Sequence, residues 1–171
     1  MALTYQAIAT VEVGSGGAAD ITFSSIPATY TDLVLLLSIR TDRSGTAGDN
    51  LSLSYNGSTS SQSDVRLYAD GSGAYSYTDT ALYAGFATGG GATASTFGNT
   101  MVYIPNYAGS NNKSSSSDGV AENNASGTAM NLGAELWSNT AAITSIKISS
   151  RYSATLQQYS TATLYGIKNT V

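Results

Sequence analysis

Leu33-Val34-Leu35-Leu36-Leu37-Ser38-Ile39 is apolar at nearly every position, and its reading decides the fold. Three consecutive leucines have good helix propensity, so a short helix competes with a strand covered on both faces. The run is short and sits among Ser and Thr, which favours the strand. Before it, Ile26-Pro27 marks a turn, and Leu3, Tyr5, Ala7, Ala9, Val11 and Val13 alternate with Thr4, Gln6, Ile8, Thr10 and Glu12 as an opening strand. Gly14-Ser15-Gly16-Gly17 leads into the extended Asp20-Ile21-Thr22-Phe23 through a hairpin or a short crossover.

After it, Leu51, Leu53 and Tyr55 alternate with Ser52 and Ser54 and stop at Asn56-Gly57, the strongest turn signal in the chain. Val65-Arg66-Leu67-Tyr68 ends likewise at Asp70-Gly71. Further strands are expected from Tyr75 to Phe86, Phe97 to Ile104, Met130 to Trp137, Ile143 to Tyr152 and Tyr159 to Ile167. Gly89-Gly90-Gly91 and the stretch from Asn111 through Lys113, the serines and Asp118 to Gly119 read as loops inside one domain, residues 1–171. About ten strands at this spacing predict an all-β fold, a jelly-roll-like antiparallel β-sandwich. An immunoglobulin-like sandwich lacks its Cys and Trp landmarks here.

Composition narrows the function. Charged residues are 11% of the chain, so solubility rests on hydroxyls and amides, while 42% hydrophobic residues with 12 tyrosines argue for an ordered core. A net charge of −4, with seven cations in all, offers no footprint for nucleic acid. No apolar run reaches membrane-spanning length and the first residues show no signal-peptide pattern, so neither a membrane span nor a signal peptide is predicted. The chain has no cysteine and no histidine, which removes disulfides, thiolate–zinc sites, serine triads and cysteine-protease schemes.

The remaining candidates each have a plainer explanation. Gly14-Ser15-Gly16-Gly17-Ala18-Ala19 fits a dinucleotide fingerprint formally, but the chemistry needs a helix N-terminus next, where Asp20 to Phe23 reads as strand. Glycoside hydrolysis can work with two carboxylates, such as Glu122 or Glu135 with an aspartate, yet nothing in the spacing selects a pair. Asp42 and Asp49 flank an oxygen-rich loop that could hold Ca²⁺, without the ligand spacing of an EF-hand. Trp137 and the cluster Tyr75, Tyr77 and Tyr83 are either a recognition surface or core and cross-strand packing. The expectation is a non-enzymatic protein with no catalytic residue, no cofactor and no metal.

Three stretches carry a resemblance: Ile21 to Pro27 followed by Tyr30-Thr31-Asp32-Leu33; Tyr103-Ile104-Pro105-Asn106-Tyr107; and Thr163-Leu164-Tyr165-Gly166-Ile167. With Trp137 to Ile143 between the last two, they resemble a loose group of bacteriophage virion proteins of marine and cyanobacterial phages, over most of the chain. In that group the domain is similar to jelly rolls and occurs as a free-standing virion protein or as a tail-fibre module. The resemblance implies no site residues, because the matching positions look like turn and core. It implies a virion component assembled in the host cytoplasm and exposed on the particle. The first expectation is a capsid decoration or cement protein, binding the major capsid protein as a homotrimer and stabilising the shell. The alternative is a tail-fibre or receptor-binding module that recognises host surface glycan.

Overall fold

The computed structural model describes residues 5–124 and 129–168. It contains β1 (Tyr5–Glu12), β2 (Asp20–Phe23), β3 (Asp32–Ile39), β4 (Gly48–Tyr55), β5 (Gln62–Ala69), β6 (Ala74–Asp79), β7 (Leu82–Thr88), β8 (Gly98–Ile104), β9 (Lys113–Ala121), β10 (Ala129–Trp137), β11 (Ile146–Ser150) and β12 (Thr161–Ile167). Twelve strands replace the expected ten or so, and no helix occurs among the described residues. Leu3 and Thr4 of the expected first strand lie outside the described residues. All strand pairs are antiparallel, in an eight-stranded sheet ordered β1-β12-β3-β8-β9-β10-β5-β6 and a four-stranded sheet ordered β2-β11-β4-β7.

β3 is a strand because both its neighbours complete its ladder, with Leu35 opposite Leu164 on β12 and Val102 on β8. Leu33, Leu35, Leu37 and Ile39 point inward and meet Ile21, Phe23, Leu51, Leu53, Ile146 and Ile148 of the smaller sheet in the core. Its other side is not covered as expected. Val34 is buried between Tyr165 and Tyr103 in register, but Leu36 is 42% exposed.

The two sheets differ in size for a reason visible in the connectivity. Through β4 each strand passes to the opposite sheet, but β5 and β6 stay together as a hairpin, and β9 and β10 follow β8 within the same sheet. These four strands extend the large sheet past β8, and the smaller sheet ends at β7. The Asp70-Gly71 turn closes the β5–β6 hairpin, with the Asp70 carboxylate accepting from the amides of Ser72 (2.9 Å) and Gly73 (3.1 Å).

Two readings of the sequence change here. Tyr75 to Phe86 is two strands, β6 and β7, which break at Thr80-Ala81 and enter different sheets. The expected loop from Asn111 to Gly119 is mostly β9, a central strand of Lys, Ser, Asp and Gly. Small inward residues are required there because β7 passes close above. A Cβ on Gly85 of β7 would stand 2.3 Å from Thr100 Oγ1 of β8, and Gly85 itself has φ +127°. Inward Ser115, Ser117 and Gly119 leave the space that larger apolar residues would fill.

Asn56, with φ 52°, ends β4 and ties two distant segments together. Its side-chain oxygen accepts from the amides of Thr144 (2.8 Å) and Ser145 (3.0 Å), and its amide group donates to the Ala142 carbonyl (2.8 Å). With a further bond from the Thr144 hydroxyl to the same oxygen (3.2 Å), Asn56→Ala removes four hydrogen bonds and a residue suited to the left-handed region, so it should cost about 2 kcal/mol of stability. Urea titration of the variant measures this, and an unchanged midpoint would refute it.

Candidate functional site

Because the large sheet outreaches the smaller one, β7 covers one face of β5 only in part and β6 extends beyond it. Strand alternation places Asp64, Arg66 and Tyr68 on that face of β5, opposite Asp79, Tyr77 and Tyr75 of β6. The hairpin meets the flank of the smaller sheet, where Tyr68 stacks on Phe86 of β7 with ring centroids 5.3 Å apart. Asn50 of β4 lies opposite Phe86. Arg151 and Tyr152, which follow β11, close the other wall, held by the Arg151 amide donating to the Asn50 carbonyl (2.9 Å). The result is a cleft of about 400 Å³ lined by Asn50, Arg66, Tyr68, Tyr77, Asp79, Phe86, Arg151 and Tyr152.

Its charges are arranged as a chain. The Asp79 carboxylate is paired with Arg151 and lies 3.7 Å from Arg66, which in turn lies 3.5 Å from Asp64. Partial burial raises the pKa of Asp79, but the amide of Thr80 (2.7 Å) and the two guanidinium groups outweigh it and hold the carboxyl below its ordinary range. The Arg66 guanidinium lies over the ring of Tyr83 at 4.5 Å and that of Tyr77 at 5.8 Å. One Nη of each arginine, Arg66 Nη1 and Arg151 Nη1, is buried with no hydrogen-bond partner.

Beneath the cleft floor the interior is polar. Glu135 of β10 stands opposite Asp64 of β5, and both are buried. Burial pushes the Glu135 carboxyl up to about 7, against the pull of Ser117 Oγ, which donates to it at 2.7 Å. Burial raises Asp64 as well, with Arg66 opposing. The Tyr55 hydroxyl donates to Ser115 Oγ (2.9 Å) in the same layer. At the end of β9 the buried Lys113 donates to the carbonyls of Gly109 and Asn111.

The sequence candidates separate accordingly. Glu135 does meet an aspartate, but neither carboxylate lines the cleft, while Glu122 is exposed and accepts from the Asn124 amide (2.7 Å). Asp42 takes the Thr155 amide (2.7 Å), whereas Asp49 accepts from Ser150 Oγ (2.8 Å) and lies 3.5 Å from Arg43. Among the described residues no group of three or more acidic side chains could hold a metal ion. Gly14 to Gly17 is a turn closed by the Gly17 amide on the Gly14 carbonyl (3.0 Å), and strand β2 follows.

Trp137 is core, packed 6.0 Å from Tyr55, with its indole N–H on Ser58 Oγ (3.2 Å). Tyr83 is buried, but Tyr75 and Tyr77 stand at the cleft rim, 41% and 47% exposed. Arg66, Tyr68, Asp79, Asn50 and Arg151 went unread as a set because they come from four segments of the chain, and only the β5–β6 register hints at part of it.

The segments that carry the phage resemblance meet at another corner. Asp32 accepts from the Tyr103 hydroxyl and the Asn106 amide, both at 2.9 Å, and the Tyr107 hydroxyl donates to the Pro27 carbonyl. The ring of Tyr30 lies where a Cβ on Gly166 would be, and the Ile143 amide donates to the Tyr107 carbonyl (2.9 Å). They join neighbouring strands and turns and form no pocket wall of the cleft.

No protein-family model matches the chain, and no curated protein matches it.

Proposed function

We propose that this protein is a non-enzymatic structural subunit of a bacteriophage virion, a capsid decoration or cement protein that assembles as a homotrimer. The observation that carries the assembly part is the outer face of the large sheet. Leu36, Met101, Tyr103, Val120, Met130, Leu132, Leu136, Val65 and Leu67 lie across five consecutive strands, β3-β8-β9-β10-β5, each between 36% and 58% exposed. At roughly 100 Å² apiece they present about 900 Å² of apolar surface, more than the largest patch of a typical monomer and enough for one side of a standard interface. A hollow of about 230 Å³ within it is lined chiefly by Leu67, Ala69, Ala74, Met130 and Leu132, a socket for an incoming side chain.

The same face argues for a ring over a two-fold dimer. Asp118 of the central strand β9 sits between Met101 and Leu132 in register. In a face-to-face dimer two such carboxylates would approach one another near the axis as they lose water, which is costly. In a trimer the face of one subunit meets a different surface of the next, so the carboxylates stay apart.

The phage assignment rests on the resemblance of the corner-forming segments. The two strand sets β1-β12-β3-β8 and β2-β11-β4-β7, with alternating connections between them, support the jelly-roll-like reading. Quantitative mass spectrometry of purified virions tests the role: hundreds of copies per particle are expected. A handful would overturn decoration. The aromatic cleft favours a second reading, a tail-fibre or receptor-binding module, which a low copy number together with failed adsorption of a deletion phage would select.

A further inference from the structure

We infer that the cleft between the β5–β6 hairpin and the smaller sheet is a saccharide-binding site that takes one or two neutral pyranose rings. Aromatic side chains in cores hide their faces, whereas here Tyr77 is 47% and Tyr152 52% exposed at opposite walls of a concave surface. Arg43 lies 3.5 Å over the ring of Tyr152, and the Tyr152 hydroxyl accepts from Asn50 (3.4 Å), so the ring is held in place. A pyranose has the complementary shape, an apolar C–H face to lie on a ring and an equatorial belt of hydroxyls.

The polar groups match that belt. Sugar hydroxyls both donate and accept, and the cleft offers donors and acceptors side by side: Arg66 and Arg151, Asp79, and the amide of Asn50. Arg66 Nη1 faces only the Asp64 carboxylate, at 3.5 Å, beyond the usual hydrogen-bond distance, while Arg151 Nη1 has donor capacity that no protein group uses. A bound hydroxyl would satisfy it, and buried donors gain most when a partner arrives.

Charge selects neutral over acidic sugar. The two arginines are balanced by Asp79 within the cleft and Asp64 beneath its floor, and an incoming carboxylate would compete with Asp79 for the same guanidinium groups. The volume of about 400 Å³ lies at the lower end for ligand pockets, which suits the end of a glycan more than a long chain. The site does not depend on the assembly reading. The cleft uses Arg66 and Tyr68 of β5, and the apolar face uses Val65 and Leu67 on the other side of the same strand, so a neighbour seated on the apolar face does not cover the cleft.

The test is saturation-transfer NMR on the full chain with lactose, maltose and cellobiose, and with glucuronic acid and adenosine monophosphate as acidic and nucleotide probes. At about 20 mM, above a millimolar dissociation constant, at least one neutral disaccharide should receive saturation on its ring C–H protons. Tyr77→Ala and Arg151→Ala should each weaken that signal about tenfold, and Tyr159→Ala, remote and exposed, should leave it unchanged. Tyr77→Ala removes a rim side chain and should keep the wild-type melting temperature, so its loss of signal reports the site itself. No transfer to any neutral sugar, transfer to the acidic or nucleotide probes alone, or a signal that survives both variants would overturn the inference, leaving the virion copy number as a separate question.

Discussion

Leu132→Glu should convert a trimer into monomers. Sedimentation equilibrium of the wild-type chain is expected to give three times its 17.5 kDa, and the variant once that mass. Leu132 is 56% exposed and lies across from Asp118 on one side and Leu67 on the other, in the middle of the apolar face. No Lys or Arg points outward from the five strands, so a glutamate there has no cation on its own face and stands beside Asp118. Burying an unpaired charge costs several kcal/mol, and about 3 kcal/mol per interface already weakens association more than a hundredfold. The fold should be untouched, with an unchanged circular dichroism spectrum, because the side chain faces away from the core. A companion variant, Asp118→Asn, should tighten the assembly by removing the one charge that lies centrally on the face. A wild-type monomer, or a Leu132→Glu variant that sediments as the parent does, would exclude this face as the interface.

Much of the architecture was legible in residue alternation. Period-two patterns located the β1 and β4 regions, bounding turn residues located those of β8, β10 and β12, and the turn signals at Asn56-Gly57 and Asp70-Gly71 fall where chains do turn. β9 was missed because apolarity is the usual mark of a buried strand. Here the inward positions are Lys113, Ser115, Ser117, Gly119 and Ala121, chosen for size under a closely passing strand and for hydrogen bonding to Glu135. The break between β6 and β7 was hidden for the opposite reason, since aromatic and small residues continue through Thr80-Ala81 while the chain changes sheets.

The site was less legible than the fold. Tyr75 and Tyr77 stood out as aromatics, but their partners are set by tertiary contacts that bring 50, 66, 79, 86 and 151 together. Nor could the sequence separate the rim tyrosines from buried Tyr83. The apolar outer face was likewise invisible, because Leu67, Met130 and Leu132 look like core residues until the register shows which side each strand turns outward. A sheet with both faces apolar reads as a doubly covered sheet, and here nothing in the chain itself covers the second face among the described residues.

Glu135→Gln should stabilise the protein at pH 8 by about 3 kcal/mol and leave it nearly unchanged below pH 4.5. The folded chain holds the Glu135 proton up to about pH 7, against an ordinary value of 4.5, because burial between the sheets penalises the carboxylate. Between those values the unfolded chain has released the proton and the folded chain still binds it, so stability falls as pH rises through the window and is flat above it. Two and a half pH units correspond to about 3 kcal/mol, which the wild-type protein loses on going from acid to pH 8. Glutamine keeps the neutral shape and the Ser117 contact at every pH, and its amide can donate to Asp64, whose carboxylate oxygens lack hydrogen bonds. Asp64 and the buried Tyr55 and Tyr83 face the same layer, and as acids raised by burial they are neutral or negative, so none of them compensates a Glu135 carboxylate. Asp79 is held low and therefore contributes stability that is lost only in acid, equally in both proteins. Urea midpoints for the two chains should diverge from pH 4.5 upward and run parallel above pH 7. Curves that stay parallel throughout, or a variant weaker than the parent at pH 8, would show that Glu135 is ionised and compensated inside the sandwich.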